Sequence, residues 1–302
     1  MTVLTLSTFG YGEVQPLSQG GKIWAMIVIL FGVSGFAMIV SRLNTSIIKF
    51  KEYKVKKMLN KKHYDVVIDM QNNLKSAAVS FLVKDSVHGL DKDSAREYPS
   101  HLAYKFKYKV SKENHAISRK RQLLPLSLNY EFDDKNIDYG IHNENFEIPN
   151  LELPNKYLFL VHNASWPTKM WSISRWQELI KLINSEGYTA ILPSGSKEEF
   201  KRAQEIASIS TEALAIPTQS LNRTAYIIEN AAGCICSDTG LAHLSALLGK
   251  PSVTLYSVTD EKLIGTRGNN QTHISSSDSR MDSITSQKAW QELELLIGRG
   301  GG

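Results

Sequence analysis

Eighteen residues without a charge, Ile23 to Val40 (IWAMIVILFGVSGFAMIV), stand apart from the rest of the chain, with Lys22 and Arg42 just outside them. A run of that length matches a helix crossing a hydrocarbon core about 30 Å thick, so the pattern predicts a transmembrane helix over residues 23–41. Gly32 and Gly35 within the run fit a membrane helix, where glycine is tolerated, better than a buried helix of a globular core. Seven lysines follow between Lys49 and Lys62 in a basic linker over 42–62. The positive-inside rule places that end, and everything after it, in the cytoplasm.

Beyond Lys62 the pattern changes to alternating strand and helix signals. HYDVVIDMQ predicts an interior parallel strand and NLKSAAVSFLV a helix. KYLFLVHNAS reads as a strand, and SISRWQELIKLINSEG carries Trp176, Leu179, Ile180 and Ile183 at the spacing of one helix face, with Gly187 after its end. YTAILPSG, GCICS and PSVTLYS predict further strands; KEEFKRAQEIAS, NRTAYIIENA and GLAHLSALLG predict helices. This alternation implies an α/β fold with a doubly wound parallel sheet and right-handed crossovers. Residues 151–297 therefore make one complete Rossmann-like domain, whereas 63–150 hold one clear strand and at most two helices, a truncated domain of the same kind. SSSDSRMDSITS reads as a polar loop and 298–302 as a tail.

Composition sharpens this reading in two places. The net charge is +5, and 19 of the 35 Lys and Arg residues fall between Arg42 and Arg121, so that region should prefer anionic partners. The two cysteines, Cys234 and Cys236, sit one residue apart in an apolar run, where they point the same way on a strand and are too close for a normal disulfide. They suit a reducing compartment. No zinc-ligand spacing of Cys and His occurs, and no aromatic-basic motif points to nucleic acid.

The stretch CICSDTGLAHLSALLGKPSVTLYSVTD carries the most chemistry. A buried strand ends at Ser237, Asp238-Thr239-Gly240 turn, and a helix starts at once, so free N–H groups and the positive end of the helix dipole meet at the strand's carboxyl edge. A phosphate would sit there. The same residues also read as plain helix caps, since Asp and Thr cap well without a ligand.

HNASWPTKMW, LPSG, SDTGLAHLSALLGKPSVTLYSVTD and GTRGNNQ, in that order, resemble the inverting family 9 glycosyltransferases, and YDVVIDMQNNLKSA, GLDKDSARE and NHAISRKRQLL extend the likeness upstream. The resemblance covers about 56–297. It implies a GT-B-like architecture of two Rossmann-like domains, the C-terminal one binding ADP-heptose and the N-terminal one, 63–150, facing a Kdo-bearing lipid A acceptor in lipopolysaccharide inner-core synthesis. Matched to the family's motifs, Lys169 would neutralise the donor diphosphate and the charge developing on it, with Ser165 and Thr168 as hydroxyl donors in the same loop. Glu199 would hold the ribose, with Glu198 an equally available neighbour. Asp238 would bind heptose hydroxyls, Thr239 and Gly240 the phosphates, and His243 would face the same cleft, unless it is simply packed in its helix. Lys75, Arg96, Arg119 and Arg121 occupy positions that are basic in the family and would meet the anionic acceptor. Neither a metal nor a cofactor is implied; ADP-heptose is a substrate.

The chain's start differs from that family. Thr8-Phe9-Gly10-Tyr11-Gly12-Glu13 resembles a potassium channel selectivity filter, and with the apolar run it resembles a pore loop (1–22) and inner helix. Laid over the transferase start instead, Glu13 falls at the position of the general base. The two readings exclude each other, because a spanning helix would put Glu13 across the membrane from Lys169. The membrane reading makes the chain a chimera at the cytoplasmic face of a bacterial inner membrane. The alternative function is a potassium-channel-like membrane protein with a cytoplasmic nucleotide-binding module.

Overall fold

The computed structural model describes residues 53–131, 133, 139–141 and 146–299. Thr8 to Gly12, Glu13 and the apolar run Ile23–Val40 lie outside the described residues. Among the described residues, no helix is long and apolar enough to cross a membrane.

The chain divides into two compact units, Met1–Val110 with Leu126–Asn129, and Ser111–Pro125 with Tyr130–Gly302. In the first, β1 (Val67–Ile68), β2 (Val87–Leu90) and β3 (Phe106–Tyr108) form a parallel sheet in the order β1-β2-β3. Only β1 was expected from sequence. VHGL is broken by a glycine and FKY alternates with lysine, so neither shows the apolar run of an interior strand. Helix α1 (Leu74–Ser80) starts with a capping box, in which the Asn73 side chain accepts from the Ser76 N–H and the Ser76 hydroxyl accepts from the Asn73 N–H. Buried polar groups stitch these elements together. Asp69 accepts from the backbone N–H groups of Gln71 and Asn72 and, at 2.7 Å, from the Tyr104 hydroxyl, and the Asn72 side chain accepts from the Leu90 N–H.

The second unit is a six-stranded, wholly parallel sheet in the order β6-β5-β4-β7-β8-β9, built from β4 (Tyr157–Val161), β5 (Thr189–Leu192), β6 (Ala213–Ala215), β7 (Gly233–Ser237), β8 (Ser252–Tyr256) and β9 (Gln271–Ser275). Every residue of β4, β7 and β8 is buried, as strands covered on both faces must be. Alternation divides them between two cores. Leu158, Leu160 and Ile235 face one side, with Trp171, Trp176 and Leu293. Tyr157, Phe159 and Val161 face the other, with Ile228, Cys234 and Cys236, so the two cysteines do point the same way, and both are free thiols. Helices α2 (Ala116–Leu128), α3 (Ile173–Ser185), α4 (Lys197–Ala207), α5 (Leu221–Asn230), α6 (Gly240–Leu247), α7 (Glu261–Ile264) and α8 (Ser286–Arg299) complete the chain.

In α3 the stripe Trp176, Leu179, Ile180 and Ile183 is buried as its spacing predicts, Ser172 caps the start, and Gly187 takes φ +76° after the end. The short β6, the half-polar β9 and α8 were not foreseen. Helix α8 nevertheless places Ala289, Trp290, Leu293 and Leu296 in the first core.

The order runs outward from β4 in both directions, the 3-2-1-4-5-6 pattern of a dinucleotide-type sheet, with its switch point between β4 and β7. Just past β4, the fully buried His162 donates from Nε2 to the Pro193 carbonyl at 3.0 Å and so ties the end of β4 to the end of β5.

Two predictions follow from this packing. A Cβ on Gly89 would stand 2.3 Å from the Tyr104 ring, which is held by its bond to Asp69, so Gly89→Ala should destabilise the first unit by about 1–3 kcal/mol in urea denaturation. Burial pushes the His162 imidazole down from 6.5 to about 4. The unfolded chain therefore takes up a proton that the folded chain refuses. Stability from this group is complete above pH 6.5 and is lost as pH falls toward 4. His162→Gln should flatten the pH dependence of unfolding over that window, and an unchanged slope would contradict the assignment.

Candidate functional site

A cavity of about 660 Å³ opens in the second unit at the switch point. Four chain segments line it, one following each of four neighbouring strands: His162 to Ser165 after β4, Pro193 to Gly195 after β5, Gln219 to Thr224 after β6, and Thr239 to Leu247 after β7. Crossovers that leave β4 and β7 in opposite directions open this crevice, and ligands of such sheets bind in it. Leu221 and Thr224 of α5 and Leu244 and Leu247 of α6 supply an apolar wall.

The loop after β4 is held at both ends. Trp171 is completely buried and donates from Nε1 to the Ile284 carbonyl at 3.0 Å. Pro167 opens a 3-10 turn through Lys169, whose N–H bonds back to the Trp166 carbonyl. The Thr168 carbonyl accepts from the Ser257 hydroxyl at 2.7 Å. These anchors carry Lys169 to Asp238, where Nζ meets Oδ2 at 2.6 Å; the lysine side chain is 21% exposed and the aspartate 8%.

Asp238 leads directly into α6, whose N-cap residue is Thr239. The Thr239 hydroxyl makes no capping bond, is buried, and has no partner. Capping therefore does not explain this threonine. Ser237 Oγ, at the end of β7, is also buried without a hydrogen bond among the described residues. Both hydroxyls belong to the strand-turn-helix junction that carries the positive end of the α6 dipole. His243, one turn into α6, lines the cavity, and burial lowers its pKa despite the nearby Asp238 carboxylate.

Of the residues expected to bind a donor, Ser165, Glu199, Thr239, Gly240 and His243 line the cavity. Lys169 and Asp238 form the ion pair beside it, and Thr168 contributes its backbone to the loop anchor. Glu199, on the first turn of α4, accepts from the Gly195 N–H at 2.6 Å, whereas Glu198 is exposed and turned away from the cavity lining. Lys75 and Arg96 are exposed on the first unit; Arg119 and Arg121 lie half-buried on α2 in the second. His162, Asn163, Gln219 and Leu221 also line the cavity and were not expected to. The signal for His162 was its place at the end of an entirely apolar strand, where a polar residue needs a reason.

Comparison with known proteins agrees with this geometry. The model of glycosyltransferase family 9 (heptosyltransferase) matches residues 52–293, and an ion channel family model matches residues 1–49. Lipopolysaccharide heptosyltransferase 1 of Pseudomonas aeruginosa is 36% identical over 222 residues, 73% of this chain and 62% of that protein's length. The same-named protein of Escherichia coli K12 is 34% identical over 251 residues, 82% of this chain and 78% of its own. The solved structure of E. coli heptosyltransferase WaaC with ADP superposes with a TM-score of 0.76 at 31% identity, covering 85% of this chain and 82% of that one, which supports a GT-B-like fold with parallel sheets. With 242 of its residues matched in motif order and the switch-point cavity in place, the chain belongs to glycosyltransferase family 9, the heptosyltransferases.

Proposed function

We propose that this glycosyltransferase moves heptose from ADP-heptose to the Kdo-bearing lipid A acceptor of the lipopolysaccharide inner core, with inversion at the anomeric carbon. The Lys169–Asp238 pair beside the N-terminus of α6 carries the reading, because it sets a cation and a carboxylate where a nucleotide sugar presents its diphosphate and its hydroxyls. The adenosine would occupy the cavity between the apolar wall and Glu199, whose carboxylate can accept from ribose hydroxyls. The diphosphate would meet Thr239, Gly240 and Ser165 together with the helix dipole. As the sugar leaves, negative charge grows on the departing phosphate; Lys169 would turn from Asp238 to that charge, and Asp238 would accept from heptose hydroxyls. The same two positive features would meet the charge that a metal ion neutralises in other transferases. Lys75, Arg96, Arg119 and Arg121 would receive acceptor phosphates and carboxylates. Glu13 is proposed as general base only in the reading that has no spanning helix.

The site of action is the cytoplasmic face of the inner membrane, a reading supported by the uncharged run Ile23–Val40, the seven lysines that follow, and the ion channel match over residues 1–49. Full-length protein should stay with membranes through an alkaline wash; its quantitative release would refute the spanning helix.

Transfer is tested with purified full-length chain, ADP-heptose and Kdo-lipid A, following ADP release. Lys169→Ala should lower kcat by about 10²-fold, the scale of one lost contact to developing charge. Full turnover in that variant would remove its role. Thr239→Val should weaken ADP binding by about 1 kcal/mol and leave the melting temperature unchanged, since its hydroxyl makes no bond in the free protein.

A further inference from the structure

The second unit has another concavity, about 340 Å³, lined by His115, Glu261, Lys262, Thr266, Arg267 and His273. At its centre is the loop Gly265-Thr266-Arg267-Gly268 between α7 and β9. The loop is tightly built. A Cβ on Gly265 would lie 2.3 Å from the Glu261 carbonyl oxygen, and one on Gly268 would lie 2.4 Å from that of Ala246. Thr266 is buried and its N–H donates to the Tyr256 hydroxyl at 3.0 Å.

Three further contacts hold Arg267. The buried His115 accepts from the Ile117 N–H at Nδ1, so its Nε2 carries the proton that is donated to the Gly265 carbonyl at 2.9 Å. The Tyr139 hydroxyl donates to the Arg267 carbonyl at 3.1 Å, and Arg267 Nη1 donates to the Ser118 hydroxyl at 2.5 Å. That serine is neutral. Among the described residues no carboxylate forms an ion pair with Arg267, although Lys169, Arg175, Arg223 and Arg280 each have one. Glu261 shares the concavity, and its carboxyl is held below the usual carboxylate range by its own backbone N–H and the Ser275 hydroxyl, with His273 and Lys262 adding to the effect.

The guanidinium is thus fixed in place by a neutral partner, with Nε and Nη2 left for a planar or tetrahedral anion. Its surroundings relate it to the donor site. The loop packs on α6, the helix that carries His243, because Gly268 lies against the Ala246 carbonyl. Arg121 and Arg267 both act on Tyr139, which extends the positive region toward a residue already assigned to the acceptor.

We propose that Arg267, seated in the concavity with His115, His273, Lys262 and Glu261, binds an anionic group of the acceptor, a sugar carboxylate or a lipid phosphate. The inference rests on the transferase reading, because it takes the anion to belong to the acceptor. Binding of that group by the C-terminal unit would orient the attacking hydroxyl independently of the basic residues on the first unit.

The test uses full-length protein with ADP present, titrated separately with free Kdo, its methyl ester and inorganic phosphate, and followed by ligand-observed NMR. Kdo or phosphate should bind, Arg267→Ala should weaken that binding about tenfold, and Arg267→Lys should restore part of it. Loss of binding by the methyl ester assigns the site to the carboxylate; phosphate binding with the same Arg267 dependence assigns it to the lipid phosphate. Either result supports the proposal. Binding of neither probe, or equal binding by wild type and Arg267→Ala, overturns it. ADP affinity, read in the same samples, should be unchanged in both variants, which shows that they are folded. Failure of ADP to bind wild-type protein would count against the donor reading instead, so the two failures are distinguishable.

Discussion

Two parallel neighbours, β4 and β7, have connections that depart in opposite directions, and this divergence is the constraint on which the second unit's chemistry depends. Helices cover the two faces of the sheet, and where the connections of neighbouring strands leave for opposite faces the loops part and a crevice opens at the carboxyl ends. Backbone N–H groups, the start of α6 and the loop bearing Lys169 therefore converge on one crevice. The apolar alternation of β4 makes it possible: with Leu158 and Leu160 in one core and Phe159 and Val161 in the other, the strand is buried on both faces and its end cannot shift.

Electrostatics inside the crevice favour exchange over permanence. Removing one member of a pair as enclosed as Lys169 and Asp238 would leave the other charge without its partner. Under the proposed function the pair exchanges partners instead, a diphosphate offering the lysine a new anion and sugar hydroxyls offering the aspartate new donors. Thr239 tells the same story on a smaller scale. A capping bond there would contribute about 1 kcal/mol, and the protein forgoes it while the hydroxyl stays buried and unbonded. Stability given up around a helix N-terminus marks a place shaped for a ligand.

Arg267 follows a different logic from Lys169. The lysine waits with its charge already compensated, whereas the arginine is held by a serine hydroxyl, a tyrosine contact to its backbone and a histidine contact to Gly265 in the same loop. A paired cation can move to developing charge during reaction. A fixed, uncompensated one is suited to positioning an anion that is present throughout.

The sequence by itself determined whatever depends on short spacings. The stripe of α3, the apolar strands β4, β7 and β8, the common face of Cys234 and Cys236, and the strand-turn-helix around Asp238 are all set by residues within a few positions of one another. Periodicity reports burial directly in such segments. Very short strands carry too few positions to show a period, which is why β2, interrupted by a glycine, and β3, with a lysine at its centre, went unseen. Helix α8 went unseen for a different reason, since its single apolar face sits among exposed charges and the polar loop before it. Other features exist only in three dimensions. Lys169 and Asp238 are 69 positions apart and Ser118 and Arg267 are 149, so no local pattern could pair them. That Glu199 lines the cavity and Glu198 does not needed the direction of the first turn of α4, and the unbonded hydroxyl of Thr239 is visible only once its surroundings are in place. Local sequence sets which elements form, because the chain's periodicity is the geometry of a helix or a strand; only their packing decides which side chains meet, because that depends on where the sheet brings distant segments together.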